Sequence, residues 1–454
     1  MFARRVTSLV LAAVAGTACG GEVAPRARTG TVAAPQRDER PVAIVDATII
    51  DVASGSRSTA TIVIRNGEIA TIGGTGVVPK DAVRVDGSGK FVVPGFWDMH
   101  AHVELTGPGT LDLLVANGVT GVRDMGSDPD YILPLRARIK RGETHGPEIV
   151  AAGPILDALR PAGPLPSPAL SFLAMRRRVT TANEARAAVD DLHGRGVDFF
   201  KVHDNTPRDA FFAIAEESRR RGVPFVGHVP WNVTIEEAAE AGIRSIEHLA
   251  NFRVFTECSM SPPHQQIACD TRFRNLAARG AWQTPTIAFM LAIPALFRGE
   301  PMPHAEYASD SLLEGTRENA RFSKFDAAKS AWFTGNAKAS LPVLKMLFES
   351  GNGLLAACDG LVPGFCIHDE LEWMTRAGLT PLQALQTATI NPARYLGRED
   401  AFGTVAVGKR ADLLLLDADP SLDIQNTRRI AAVVMRGQLL RRPDLDRLLA
   451  THRR

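Results

Sequence analysis

Five residues spread along the chain, His100, His102, His228, His248 and Asp359, are of types that can hold a metal ion, and Lys201 stands among them in a like position. The run Phe91-Val92-Val93-Pro94-Gly95-Phe96-Trp97-Asp98-Met99-His100-Ala101-His102 reads as an apolar strand ending in two histidines one residue apart. Alternate side chains of a strand share a face, so His100 and His102 point the same way, as does Asp98. Neutral imidazole is a common zinc ligand, and such a face is half a metal site; alone, the pair reads equally well as hydrogen-bonded surface or core histidine. The other four residues lie at or near the ends of further short apolar runs: Asp198-Phe199-Phe200-Lys201-Val202, Pro224-Phe225-Val226-Gly227-His228, Ser245-Ile246-Glu247-His248 and Leu354-Leu355-Ala356-Ala357-Cys358-Asp359.

The elements that must gather these residues are strands alternating with helices. Three more strand-like runs are Gly121-Val122-Arg123-Asp124, Glu148-Ile149-Val150-Ala151 and Thr284-Pro285-Thr286-Ile287, and amphipathic helical segments cover 182–195, 207–221 and 235–241. Near-continuous apolar strands alternating with helices predict a parallel sheet, and eight of them predict a closed (β/α)8 TIM-type barrel over 94–399. An open doubly wound sheet is disfavoured, because no Gly-x-Gly-x-x-Gly turn follows a strand and polar residues recur at strand C-terminal ends. In a barrel those ends meet at one mouth. Arg123 and His203 also sit at strand ends, where either could meet substrate, the arginine through a carboxylate; packing or solvation is an equal alternative. Asp98 and Glu247 adjoin the site as supporting groups.

Short β-runs with turn residues fill 42–93 and 400–445, including Thr61-Ile62-Val63-Ile64 before Arg65-Asn66-Gly67, and Ala411-Asp412-Leu413-Leu414-Leu415-Leu416. They predict a small β-sandwich built from both chain ends.

Taken in order, these strand ends resemble the amidohydrolase superfamily, and most of all its binuclear-metal branch with imidazolonepropionase-like proteins and metal-dependent Xaa-Pro dipeptidases. The resemblance runs from Val42 to Leu440 and includes Thr380-Pro381-Leu382-Gln383-Ala384-Leu385 and Gly403-Thr404-Val405-Ala406-Val407-Gly408-Lys409. It implies two divalent metal ions, with zinc the expected ion: His100, His102 and Asp359 would hold one, and His228 and His248 the other. Lys201, carbamylated by carbon dioxide, would bridge them, since an ammonium cannot ligate a cation. Two metals lower the pKa of a bridging water and polarise a carbonyl, and Asp359 would pass the water's proton to the leaving nitrogen. The implied activity is hydrolysis of a C–N bond in a small molecule such as a dipeptide, an N-acyl amino acid or a cyclic amide. The alternatives are an ester or lactone hydrolase on the same site and a secreted metal-containing binding protein without catalysis; the intact set of six positions argues against the latter.

Composition fits a small-molecule enzyme. The 454 residues carry 52 basic and 50 acidic side chains, so no charge excess calls for nucleic acid. Residues 1–19 have the charged, apolar and small-residue pattern of an export leader, and 20–41 that of a tether. The expectation is an exported protein, periplasmic or membrane-anchored. Gly16-Thr17-Ala18-Cys19 resembles a lipoprotein cleavage box, with a lipid anchor at Cys19, against ordinary cleavage after Ala15. Four cysteines remain, and Cys258 with Cys269 and Cys358 with Cys366 are the local pairings among three arrangements. The proline-rich stretch 156–168, the segment 251–270 and a helical insertion over 290–350 are candidate walls or lids of the mouth.

Overall fold

A computed structural model describes residues 40–454 apart from 108, 160–170, 250–257, 259–262, 299, 301, 323–325 and 361. The leader, nearly all of the tether, most of 156–168 and part of 251–270 therefore lie outside the described residues. Strands from both chain ends join in one eight-stranded sheet. Its order runs Gln438–Arg441, Ile430–Met435, Leu413–Leu416, Phe91–Pro94, Val42–Ile50, Arg57–Arg65, Glu68–Gly73, with Val83–Asp86 paired to the first half of Val42–Ile50. The alternation of a strand explains how this sheet is covered: Leu413 and Leu415 join a core confined to the sheet, while Leu414 and Leu416 join the main core of the molecule.

The chain leaves this sheet at Pro94-Gly95. Gly95 N–H donates to the Asp412 carbonyl (2.8 Å), and a β-carbon there would sit 2.3 Å from Thr120 Oγ1, so only glycine lets the two strands approach. Two parallel sheets follow. One holds Phe96–Ala101, Val119–Asp124 and Glu148–Ala151; the other runs Arg176–Arg178, Ile155–Asp157, Phe200–Val202, Phe225–Gly227, Ser245–Glu247, Trp282–Thr284. Asp198 N–H donates to the Ala151 carbonyl (2.8 Å) and links the two sheets. The expected helices form at Ala182–Arg195, Arg208–Arg221 and Ile235–Glu240, and the insertion is helical over Ile287–Phe297, Asp310–Phe322, Ala327–Ala339 and Leu341–Glu349. No helix among the described residues is long and apolar enough to cross a membrane.

Three strand expectations are corrected. The strand placed at 284–287 runs Trp282–Thr284 instead: Pro285 has no N–H to donate, Thr286 turns left-handed (φ 49°), and Ile287 opens a helix. The run 354–359 forms only an isolated bridge, Leu354 with Gln283; its other backbone groups bond to the backbone of Gln283, Thr387, Met99 and His100 and to the side chains of Asp98 and Asn391. Residues 155–157, partly assigned to a loop, form a strand paired with Arg176–Arg178. Both cysteine pairs are the local ones, Cys258–Cys269 and Cys358–Cys366.

Candidate metal centre

His100 stands near the end of its strand; His102 and His228 directly follow theirs; Lys201 lies within Phe200–Val202; His248 follows Ser245–Glu247. Local backbone explains two placements. Gly227 (φ 136°) lies so close to the neighbouring strand that a β-carbon would meet the Val202 carbonyl oxygen at 2.1 Å, and His228 follows it directly. His248 (φ 55°), Thr286 (φ 49°) and Asp359 (φ 52°) are non-glycine residues in the left-handed region, which turns the chain sharply where each side chain leaves its strand. Such backbone persists only where its surroundings over-determine it.

Three imidazole Nε2 atoms converge on the Asp359 carboxylate: His102 at 3.2 Å, His100 at 3.4 Å and His248 at 3.5 Å. The opposite ring nitrogens are held from behind. His100 Nδ1 donates to Glu247 Oε2 (2.8 Å), His228 Nδ1 to Asp204 Oδ1 (2.8 Å) and His248 Nδ1 to Thr286 Oγ1 (2.6 Å), whose own proton goes to the Pro285 carbonyl. These bonds set the tautomer with the lone pair on Nε2, the form that ligates a cation. The rings of His100 and His248 lie 4.7 Å apart, and those of His228 and His248 4.6 Å. Lys201 Nζ reaches His100 Nε2 at 3.4 Å, so all six sequence-assigned residues form one cluster.

The electrostatics suit a cation site. Burial pushes the His100 and His203 imidazoles well below their usual range and His248 down to about 3, so they stay neutral at physiological pH. Burial lowers the Lys201 ammonium to about 8 against Glu247 and Asp359, which favour its charge; neutral amine, the form that takes up carbon dioxide, is therefore accessible near neutral pH. Burial opposes the charge of Asp359, yet His248, His102 and Lys201 hold its carboxyl below the usual range, and it is ionised. His100, His102 and Asp359 offer donor atoms within 4.8 Å of one another, the spacing of ligands round one ion. The donor set thus fits a divalent metal. Cys358 and Cys366, near Asp98, are joined in a disulfide and offer no thiolate.

For Arg123 the structure shows the packed alternative. Its side chain is fully buried and its guanidinium is engaged throughout: Nε donates to the Met99 carbonyl (2.6 Å), Nη1 to Ser245 Oγ (2.7 Å) and Tyr395 OH (3.0 Å), Nη2 to both Glu247 oxygens (2.9 and 3.0 Å). It braces the carboxylate behind His100. His203 does lie at the centre, stacked on His228 with ring centroids 3.9 Å apart; its Nε2 accepts from Arg176 Nη2 (3.3 Å), and Arg176 Nε donates to Asp157 (3.0 Å). Sequence reasoning missed Asp204 and Arg176. Asp204 was findable, since it is the acid three residues past Lys201 at the same strand end; Arg176 lies on a strand that no periodicity announced. His368 is buried and bonded to Thr427.

A model described as "Amidohydrolase family" matches residues 91–440. The chain is 25% identical to an adenine deaminase of Deinococcus deserti over 84% of its own length and 57% of that protein's. It is 34% identical to an imidazolonepropionase of Rubrobacter xylanophilus over 36% of its length and 31% of that protein's. The chain thus spans little more than half the length of the deaminase it matches. Among solved structures, a bottromycin amidohydrolase superposes with a TM-score of 0.69 at 26% identity, covering 92% of this chain and 91% of that one. A Xaa-Pro dipeptidase with bound methionine superposes with a TM-score of 0.67 at 20% identity, covering 88% of this chain and all of that one. These likenesses, with the parallel sheets, give the fold as TIM-barrel-like α/β.

Proposed function

Because the chain belongs to the amidohydrolase family, we propose that it hydrolyses a C–N bond in a small molecule, an amide, peptide or cyclic amide, at a centre of two divalent cations. The observation that carries this reading is the convergence of three imidazole Nε2 atoms on the ionised Asp359 carboxylate, with Lys201 beside them. His100, His102 and Asp359 would hold one ion, His228 and His248 the other, and Lys201 as a carbamate both; zinc suits the imidazole-rich donor set. When bound, the ions supply an acidified water and a Lewis acid for the carbonyl. Asp359, ionised beforehand, accepts the proton of the attacking water and delivers it to the departing nitrogen. Glu247 and Asp204 keep His100 and His228 in the ligating tautomer. His203, neutral and beside His228, is placed to touch the substrate.

The same reading takes the two parallel sheets as one closed (β/α)8 barrel over 94–399. The hydrogen bonds Asp198 to Ala151, Leu355 to Gln283 and Met99 to Ala356 support closure. Residues 42–93 and 400–445 then form the composite β-sandwich domain, 1–19 an export leader and 20–41 a tether. The reading includes export, with either a lipid at Cys19 or ordinary cleavage after Ala15; release from membranes by Cys19→Ser supports the anchor, and unchanged fractionation supports ordinary cleavage. Removal of a ring amino group is the second reading, favoured by the likeness to an adenine deaminase over 84% of the chain. Metal-loaded protein assayed on dipeptides, N-acyl amino acids, cyclic amides, adenine and lactones tests both. Turnover of an amide supports the first reading, release of ammonia from adenine the second, and turnover of lactones alone contradicts C–N hydrolysis.

A further inference from the structure

The helix Phe365–Arg376 touches the centre's surroundings twice. Cys366, in its first turn, forms the disulfide to Cys358, the residue directly before Asp359. Glu370, one turn later and fully buried, accepts from Ala288 N–H (2.8 Å) at the start of the helix Ile287–Phe297, two residues beyond the Thr286 that holds His248 Nδ1. Positions four apart lie on one helix face, so a single rigid surface reaches the supports of Asp359 and of His248.

Both ends of this bridge are places where ordinary sheet structure is missing. Asp359 sits past a run that pairs by one isolated bridge, in left-handed backbone, held by its N–H to the His100 carbonyl (2.7 Å) and by Cys358 N–H to Asp98 (3.1 Å). Thr286 is β-branched and also left-handed, a conformation its side chain disfavours. Neither conformation is intrinsic, so each needs a tether, and the helix supplies one to the neighbour of each.

We propose that the helix Phe365–Arg376 is the brace that sets Asp359 against His248, through Cys366 and Glu370 as positioning residues. This rests on the metal centre proposed above. Without the brace the carboxylate and the imidazole, 3.5 Å apart, no longer share one fixed geometry, and the ions they hold leave sooner.

The test uses the full chain loaded with zinc. Cys358→Ala with Cys366→Ala removes one tether; Glu370→Leu removes the acceptor of the other while filling a like volume. Each is expected to lose zinc to the chelator dipicolinate about tenfold faster or more, with kcat falling by a like factor on the fastest substrate of the panel above and KM staying within about twofold. In an Asp359→Asn background the cysteine changes are expected to add little, because tether and carboxylate act as one unit. Zinc retention and kcat within about twofold of wild type, or full additivity with Asp359→Asn, overturn the brace. Should the cysteine variant fail to fold, Glu370→Leu decides by the same two readouts. Wild-type protein that holds zinc normally while both variants hold it equally well overturns the brace alone; wild-type protein that takes up no zinc overturns the centre as well.

Discussion

At the scale of single residues, the centre depends on what stands behind each ligand. Glu247 joins His100 to the Arg123 guanidinium in a wholly buried pair. Replacing one member of such a pair leaves the other charged and unpaired, so Arg123→Met is expected to cost about 3–5 kcal/mol, read as a lower denaturant midpoint at unchanged slope. A midpoint shift under about 1 kcal/mol would mean that the pair carries no structural weight. Glu247→Gln is milder in shape but removes the anion that holds His100 Nδ1–H, and about tenfold weaker zinc binding is expected in competition with a chelator. The clustered residues were legible because residue type and the end of an apolar run coincide six times in order. The role of Arg123 was not, because a strand pattern says which face a side chain takes and not how deep in the interior it lies, and depth is what separates a residue under the centre from one that meets substrate.

At the scale of elements, the helix Phe365–Arg376 carries a group whose titration can be followed. Burial raises the Glu370 carboxyl from 4.5 to about 8, with Asp98 and Asp369 adding to the rise against the N–H groups of Ala288 and Ile287. The folded protein therefore keeps a proton that the unfolded chain releases, so this group's contribution falls as pH rises from about 4.5 to about 8 and is level above that. Asp98, raised to about 7 by burial, tilts stability the same way, so the comparison must be between wild type and Glu370→Gln. The variant is expected to have a flatter decline of melting temperature across that window, and parallel curves would contradict the shift. Helices such as Ala182–Arg195 were legible from their period, and Thr181 caps that helix by accepting from Glu184 N–H. The run 354–359 was misread as a regular strand because its apolar sequence matches one, whereas its backbone hydrogen bonds are shared out among three different segments, around Met99, Gln283 and Thr387.

At the scale of the whole molecule, the two chain ends meet in one sheet whose faces serve two cores, and Pro94-Gly95 passes the chain from that sheet to the strand of His100 and His102. The unbroken apolar run Leu413–Leu416 is that of a strand covered on both faces, but it does not say by what; a second sheet and a barrel read alike from one strand. The strand Ile155–Asp157 was hidden because only three residues carry it and its partner Arg176–Arg178 is all arginine, a composition that no strand pattern predicts. The central claim is a centre for two ions, which needs strands from 96 to 359 correctly closed around it. Elemental analysis of protein produced with zinc and bicarbonate, then freed of loose metal by gel filtration, tests it most directly. Close to two divalent ions per chain is the expected result, falling toward one or none in Lys201→Ala. A wild-type value near zero would contradict the account.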